Sequence, residues 1–127
     1  MRPLIALLAL VAALALGAPA AFATSGTGSG DGLTVTVSLS DTATAGEPFT
    51  VAESITNTTA RGKLVRVTQT LTGPSGTLFS FSYPFFVPAG RTLAFSLTFT
   101  FPEVPPGTYS LTLRAGTASA TGTTVVS

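Results

Sequence analysis

From Leu33 onward, large apolar side chains recur at every second position. The longest run is Leu93-Ala94-Phe95-Ser96-Leu97-Thr98-Phe99-Thr100-Phe101, where odd positions are large and apolar and even ones small or hydroxylated. A period of two predicts a strand with one face in a core, and this run predicts a central one. Similar alternations predict strands over 33–39 (Leu33, Val35, Val37, Leu39), 49–56 (Phe49, Val51, Ile55), 65–71 (Val65, Val67, Leu71), 79–85 (Phe79, Phe81, Tyr83, Phe85) and 108–114 (Tyr109, Leu111, Leu113). A last, thin run over 118–126 places Ala118, Ala120 and Gly122 on one face, to pack against bulky partners such as the phenylalanines or to contribute backbone hydrogen bonds. Turn residues punctuate the runs at Asp41–Gly46, Asn57–Thr59, Gly73–Gly76, Pro88–Gly90 and Pro102–Gly107. Each strand offers one apolar face, and the economical way to bury such faces is a second sheet packed on the first.

Seven short strands with turns between them and no amphipathic helix match an all-β, immunoglobulin-like two-sheet sandwich, with a small barrel or jelly roll as the alternative. Four departures from the alternation add information. Glu53 stands where an apolar residue belongs, and an inward carboxylate costs several kcal/mol unless paired, hydrogen-bonded or protonated. The expected resolution is a bulge that turns it to solvent or brings it to Arg66 or Arg114. Gln69 poses the same question more mildly. Pro84 cannot donate to a ladder, so its strand is expected at a sheet edge, or its pairing stops near Tyr83. Phe85 and Phe86 are adjacent and cannot both point inward, so one ring is expected near the surface, where Tyr83, Phe85 and Phe86 become candidates for partner binding. Tyr109, after Pro105-Pro106-Gly107, is placed to pack in the core with its hydroxyl bonded near the loop, like a tyrosine corner.

The residues before Leu33 read differently. Met1-Arg2-Pro3, an apolar run from Leu4 to Leu16 and the small-residue end Ala21-Phe22-Ala23 have the form of a secretory signal peptide over 1–23, cleaved before Thr24 or, alternatively, after Ala20. The apolar run is shorter than the ~20 residues of a spanning helix. Residues 24–32, rich in Gly, Ser and Thr, read as a flexible lead, and 33–127 as the domain. Of 127 residues, removal of 23 leaves 104, enough for one core.

Charged residues make up 9% of the chain, against about a quarter in an average globular protein. Of six Lys and Arg, Arg2 lies in the leader, so five remain against five Asp and Glu. That balance argues against nucleic acid as a partner. With no His and no Cys, a histidine base, a thiol nucleophile, a disulfide and most metal sites have no residues to use. The five acids are spaced neither for a carboxylate pair nor for a calcium loop. The expectation is a protein without catalytic residues, cofactor or metal. Asn57-Thr58-Thr59 also satisfies the N-glycosylation acceptor pattern, or serves as an ordinary turn.

Four landmarks occur in order: Leu33–Leu39, then Gly46-Glu47-Pro48-Phe49-Thr50-Val51 running to Ile55-Thr56-Asn57-Thr58-Thr59, then Val87-Pro88-Ala89-Gly90, and Pro105-Pro106-Gly107-Thr108-Tyr109-Ser110-Leu111. In this sequence they resemble bacterial extracellular immunoglobulin-like modules of the kind found in cell-adhesion-related and surface-protein repeats. Glu53 departs from that pattern, and only one copy is present. The resemblance implies a noncatalytic exported module making protein–protein contacts at a cell surface or in a secreted assembly. Its partner would be another extracellular or cell-surface protein, and its location secreted, periplasmic or cell-surface associated, without a membrane span once the leader is removed. A carbohydrate-binding module with a glycan ligand and a secreted proteinase inhibitor, which shares the Pro-Gly and Gly-x-Tyr landmarks, are the alternatives.

Overall fold

A computed structural model describes residues 11–13, 24–100 and 103–127. They form ten strands: β1 (Val11–Ala13), β2 (Thr24–Gly30), β3 (Leu33–Leu39), β4 (Thr42–Ala43), β5 (Pro48–Asn57), β6 (Lys63–Gly73), β7 (Gly76–Val87), β8 (Thr92–Thr100), β9 (Gly107–Ala115) and β10 (Ala118–Val126). The strands lie in two five-stranded sheets, ordered β1-β8-β5-β3-β2 and β4-β10-β9-β6-β7. All pairings are antiparallel except that of β4 with β10. The result is an all-β, two-sheet sandwich with open sheet edges, broadly consistent with an immunoglobulin-like arrangement. No helix of the described residues is long and apolar enough to cross a membrane.

The inward faces are the ones the alternation assigned. Leu33, Val35, Val37 and Leu39 from β3, Val51 and Ile55 from β5, Val67 and Leu71 from β6, and Leu111 and Leu113 from β9 are all buried in one cluster. Each such side chain contributes about 1.5–3 kcal/mol through its removal from water. Apart from Pro48, the outward positions of β3, β5 and β8 are Thr, Ser or Ala, and several hydroxyls bond laterally, as in Thr36–Ser54 (2.6 Å), Thr56–Thr92 (2.7 Å) and Thr50–Thr98 (3.1 Å). Hydroxyls that satisfy one another across strands give this face polarity without charge.

Three features differ from expectation. First, Thr24–Gly30 is not a flexible lead: it pairs with β3 along its whole length through a two-residue turn, Asp31-Gly32, with positive φ at both positions. Asp-Gly is the favoured pair for such a turn. Its glycines are required by position. A Cβ on Gly26 or Gly28 would collide with the carbonyl oxygen of Thr121 or Ser119. The glycine hydrogen standing there points at that oxygen instead, in the manner of a Cα–H···O contact. β2 therefore lies against the stretch of β10 that β4 leaves unpaired and closes one side of the sandwich. Second, β8 is not central, since it has β5 on one side and on the other only the three residues of β1. Leu97 is buried, but Leu93 and Phe95 are only half-buried. Alternation reports which face a strand buries and carries no information on its place in the sheet. Phe101, the expected end of this strand, lies outside the described residues, as does the expected signal peptide apart from Val11–Ala13. Third, β10 packs its small residues against aliphatic partners from β3: a Cβ on Gly122 would meet Leu39.

Candidate functional site

The two long sides of the sandwich are built differently. On the β2–β10 side, glycine and alanine let backbones approach closely. On the opposite side, between the edge strand β7 and β8, the space is filled by a continuous row of rings. Phe79 and Phe81 have centroids 5.5 Å apart, Phe81 and Tyr83 5.9 Å, Tyr83 and Phe85 6.2 Å, and Phe85 reaches across to Phe95 at 5.9 Å. All five rings are half-buried. β7 is an edge strand, as Pro84 required, yet its pairing with β6 continues past Pro84 to Val87 rather than stopping near Tyr83. An edge position leaves Pro84 without a neighbouring strand on one side, so its missing donor breaks no ladder there.

Tyr83, Phe85 and Phe86 do not share a face. Tyr83 and Phe85 point into the aromatic row, whereas Phe86 lies on the outer face and is 56% exposed. Its cross-strand partner is Leu64, which is 73% exposed, and its ring covers Gly62, where a Cβ would collide with it. Leu64 was not singled out from the sequence. Its signal is there: it occupies the outward parity of β6, ahead of Arg66, Thr68 and Thr70, where every other residue is polar.

Folding also sorts the charges. Asn57 N–H donates to the Arg91 carbonyl (2.9 Å), Asn57 Nδ2 to the Arg61 carbonyl (2.6 Å), and Gly116 N–H to the Arg66 carbonyl (3.4 Å), while Lys63 opens β6 beside Val87. With Arg114 near the end of β9, all five basic residues of 24–127 gather at one end of the sandwich. Asp41, Glu47 and Glu103 occupy the other end, about the 30 Å length of a ten-residue strand away. Asp31 is the acid at the basic end. The equal counts of charge thus conceal a dipole, and the apolar pair Leu64–Phe86 sits inside its basic end.

Glu53 corrects a specific expectation. No bulge turns it outward and no arginine meets it; it is 2% exposed, pointing between the sheets, while Arg66 and Arg114 project from the outer face. Its Oε1 accepts from Gln69 Nε2 at 2.7 Å, and the same amide nitrogen lies 3.3 Å from the Tyr83 hydroxyl oxygen. Glu53 Oε2 and Gln69 Oε1 have no partner. Burial pushes the carboxyl up to about 7, against a smaller lowering by the Gln69 bond. Burial thus favours the protonated carboxyl relative to a solvated one. Burial is also the main cause raising the Tyr83 hydroxyl above its ordinary value.

Asn57, in the acceptor pattern for glycosylation, is fully buried. Its Nδ2 donates to the carbonyls of Arg61 and Val87 (2.6 and 3.1 Å), and its Oδ1 accepts from the N–H and hydroxyl of Thr59 (2.9 and 2.7 Å). With both amide protons used inside the fold, Asn57 is a loop staple and not a glycan acceptor in the folded state. Tyr109 packs as expected: it is buried and donates its hydroxyl to the Pro105 carbonyl at 2.6 Å. Among the described residues, no three His, Cys, Asp or Glu side chains are grouped to hold a metal.

No protein-family model and no curated protein matches this sequence. Among solved structures, the chain is similar to the Pseudomonas fluorescens alkylpurine DNA glycosylase AlkC, bound to DNA containing an abasic site analog. The TM-score is 0.58 at 10% sequence identity, and the match covers 68% of this chain and 27% of that one. The likeness is one of fold alone: this sandwich corresponds to about a quarter of the larger protein.

Proposed function

We propose that the chain is an exported, noncatalytic immunoglobulin-like module that binds another extracellular or cell-surface protein through the β6–β7 edge. The observation that carries the reading is the exposed cross-strand pair Leu64–Phe86. It is a concentrated apolar contact on an outward face of β6 whose other members are Arg66 and threonines, with Arg61 in the adjoining turn. Aromatic and aliphatic anchors inside a polar rim are the usual anatomy of a protein-binding patch. A basic rim favours an acidic partner surface and accelerates encounter. The leader pattern supports export, and cleavage before Thr24 would leave β2 intact at the new terminus. The other rings of β7 point into the sandwich and offer no flat exposed platform for a sugar.

Phe86→Ser tests this directly. The ring is half exposed, so fold stability should fall by less than about 1 kcal/mol. Affinity for a partner captured from the native cell envelope or medium should fall about tenfold or more, equivalent to about 1.4 kcal/mol. A thermal melt and a binding titration read the two halves separately. Unchanged affinity would remove this edge as the recognition site, and binding of the unmodified chain to a glycan array or a secreted protease would favour the corresponding alternative.

A further inference from the structure

The outer edge of β8 is the unguarded edge of this sandwich. Natural sheet edges are blunted by charge, proline, bulges, short length or a covering segment. β4 has two residues, β7 carries Pro84 and a bulge between Leu71 and Thr72 of its partner, and β2 is glycine-rich. Between Thr92 and Thr100, by contrast, there is no charge and no proline, and the pairing with β5 runs without a register shift. Its free side takes an antiparallel strand: β1 pairs Val11 with Thr98, Ala12 with Leu97 and Ala13 with Ser96. That covering segment belongs to the leader. Its removal uncovers the edge, together with the half-buried Phe85 and Phe95 behind it.

We infer that in the leader-free chain the β8 edge pairs antiparallel with the β8 edge of a second copy, joining the two β8-containing sheets across a two-fold axis. Charge selects this occupant. β8 runs from the basic end, after Arg91, to the acidic end, before Glu103, and both of these residues are exposed. Antiparallel pairing sets each copy's Arg91 end beside the other's Glu103 end and opposes the two molecular dipoles, whereas a parallel arrangement would set like charges together. The contact is isologous, so it closes at two copies. Opposite ends of the dimer would then each present a Leu64–Phe86 patch.

The inference rests on the reading of residues 1–23 as a removable leader, and the two can fail separately. Intact-mass measurement of the exported protein tests removal. The association is tested on purified chain 24–127, which retains every buried core residue among the described ones, from Leu33 to Val126. Sedimentation velocity should show a monomer–dimer equilibrium at micromolar concentration. Ala94→Lys, at an exposed mid-β8 position, should weaken it at least about tenfold, because a lysine on an edge strand opposes edge-to-edge pairing. Arg91→Glu should weaken it as well, and adding Glu103→Arg to that variant should restore it, with unchanged melting profiles throughout. A persistent monomer, a dimer indifferent to Ala94→Lys and to the charge swap, or open-ended polymers would each overturn the inference. If Ala94→Lys fails to fold, the charge-swap pair decides the matter alone.

Discussion

Glu53 is the residue whose environment the fold altered most. Its carboxyl titrates at about 7 in the folded chain against an ordinary 4.5, and the folded state is the one that holds the proton more tightly. Below about pH 4.5 both states are protonated and the group has no pH-dependent effect. Between 4.5 and 7 the unfolded chain releases the proton first, so stability falls as pH rises, and above 7 the effect is level. The gap of about 2.5 pH units, 7 minus 4.5, corresponds to about 3 kcal/mol. Glu53→Gln should abolish this slope in denaturant melts collected from pH 4 to 8, and should exceed the parent in stability at pH 8, since an amide can donate where Gln69 Oε1 has no partner. A parent whose stability rises across that window relative to the variant would contradict the buried acid. At Asn57, substitution by Ala leaves the Arg61 and Val87 carbonyls without their amide donor. The expected loss is about 2–4 kcal/mol, read from a urea midpoint.

At the scale of elements, β2 and β8 show what periodicity does and does not report. The even positions of β2 are Gly26, Gly28 and Gly30 and the odd ones Ser25, Thr27 and Ser29, a period of two written in residues normally read as a linker. The pattern is legible only when the glycines are seen as the inward set, and that requires knowing that β10 lies against them. Gly28→Val should push β2 off β10 because the new side chain meets the Ser119 backbone. Hydrogen exchange should then lose protection over residues 25–30 while amides of β5 and β9 keep theirs, at a stability cost of about 1–3 kcal/mol. Uniform loss of protection would mean that β2 unfolds only with the whole domain. β8 presents the opposite case: its alternation is the clearest in the chain, yet it packs near an edge, because strong amphipathicity reflects one buried face and not the number of neighbouring strands.

At the scale of the whole molecule, one closed side, one aromatic side and a charge dipole along the strands replace the featureless, neutral, hydroxyl-rich domain suggested by composition. Because the buried cluster of the described residues runs from Leu33 to Val126, chain 24–127 should unfold in a single transition, with fluorescence of its tyrosines and far-ultraviolet circular dichroism superimposing. Separate midpoints would show that residues 24–127 do not unfold as one unit. By itself the sequence determined the all-β class, the alternation and inward faces of most strands, and the Tyr109 corner, and it narrowed β7 to an edge strand or a shortened pairing. Each follows from local rules: side-chain alternation, the missing proline donor and the turn residues. Only the tertiary structure decided that Glu53 is buried against Gln69, that Asn57 is consumed by carbonyls from two other segments, that Leu64 meets Phe86, and that basic and acidic residues separate to opposite ends. Those outcomes depend on which strands become neighbours, and pairing between positions far apart in the chain leaves no mark on the periodicity of either partner.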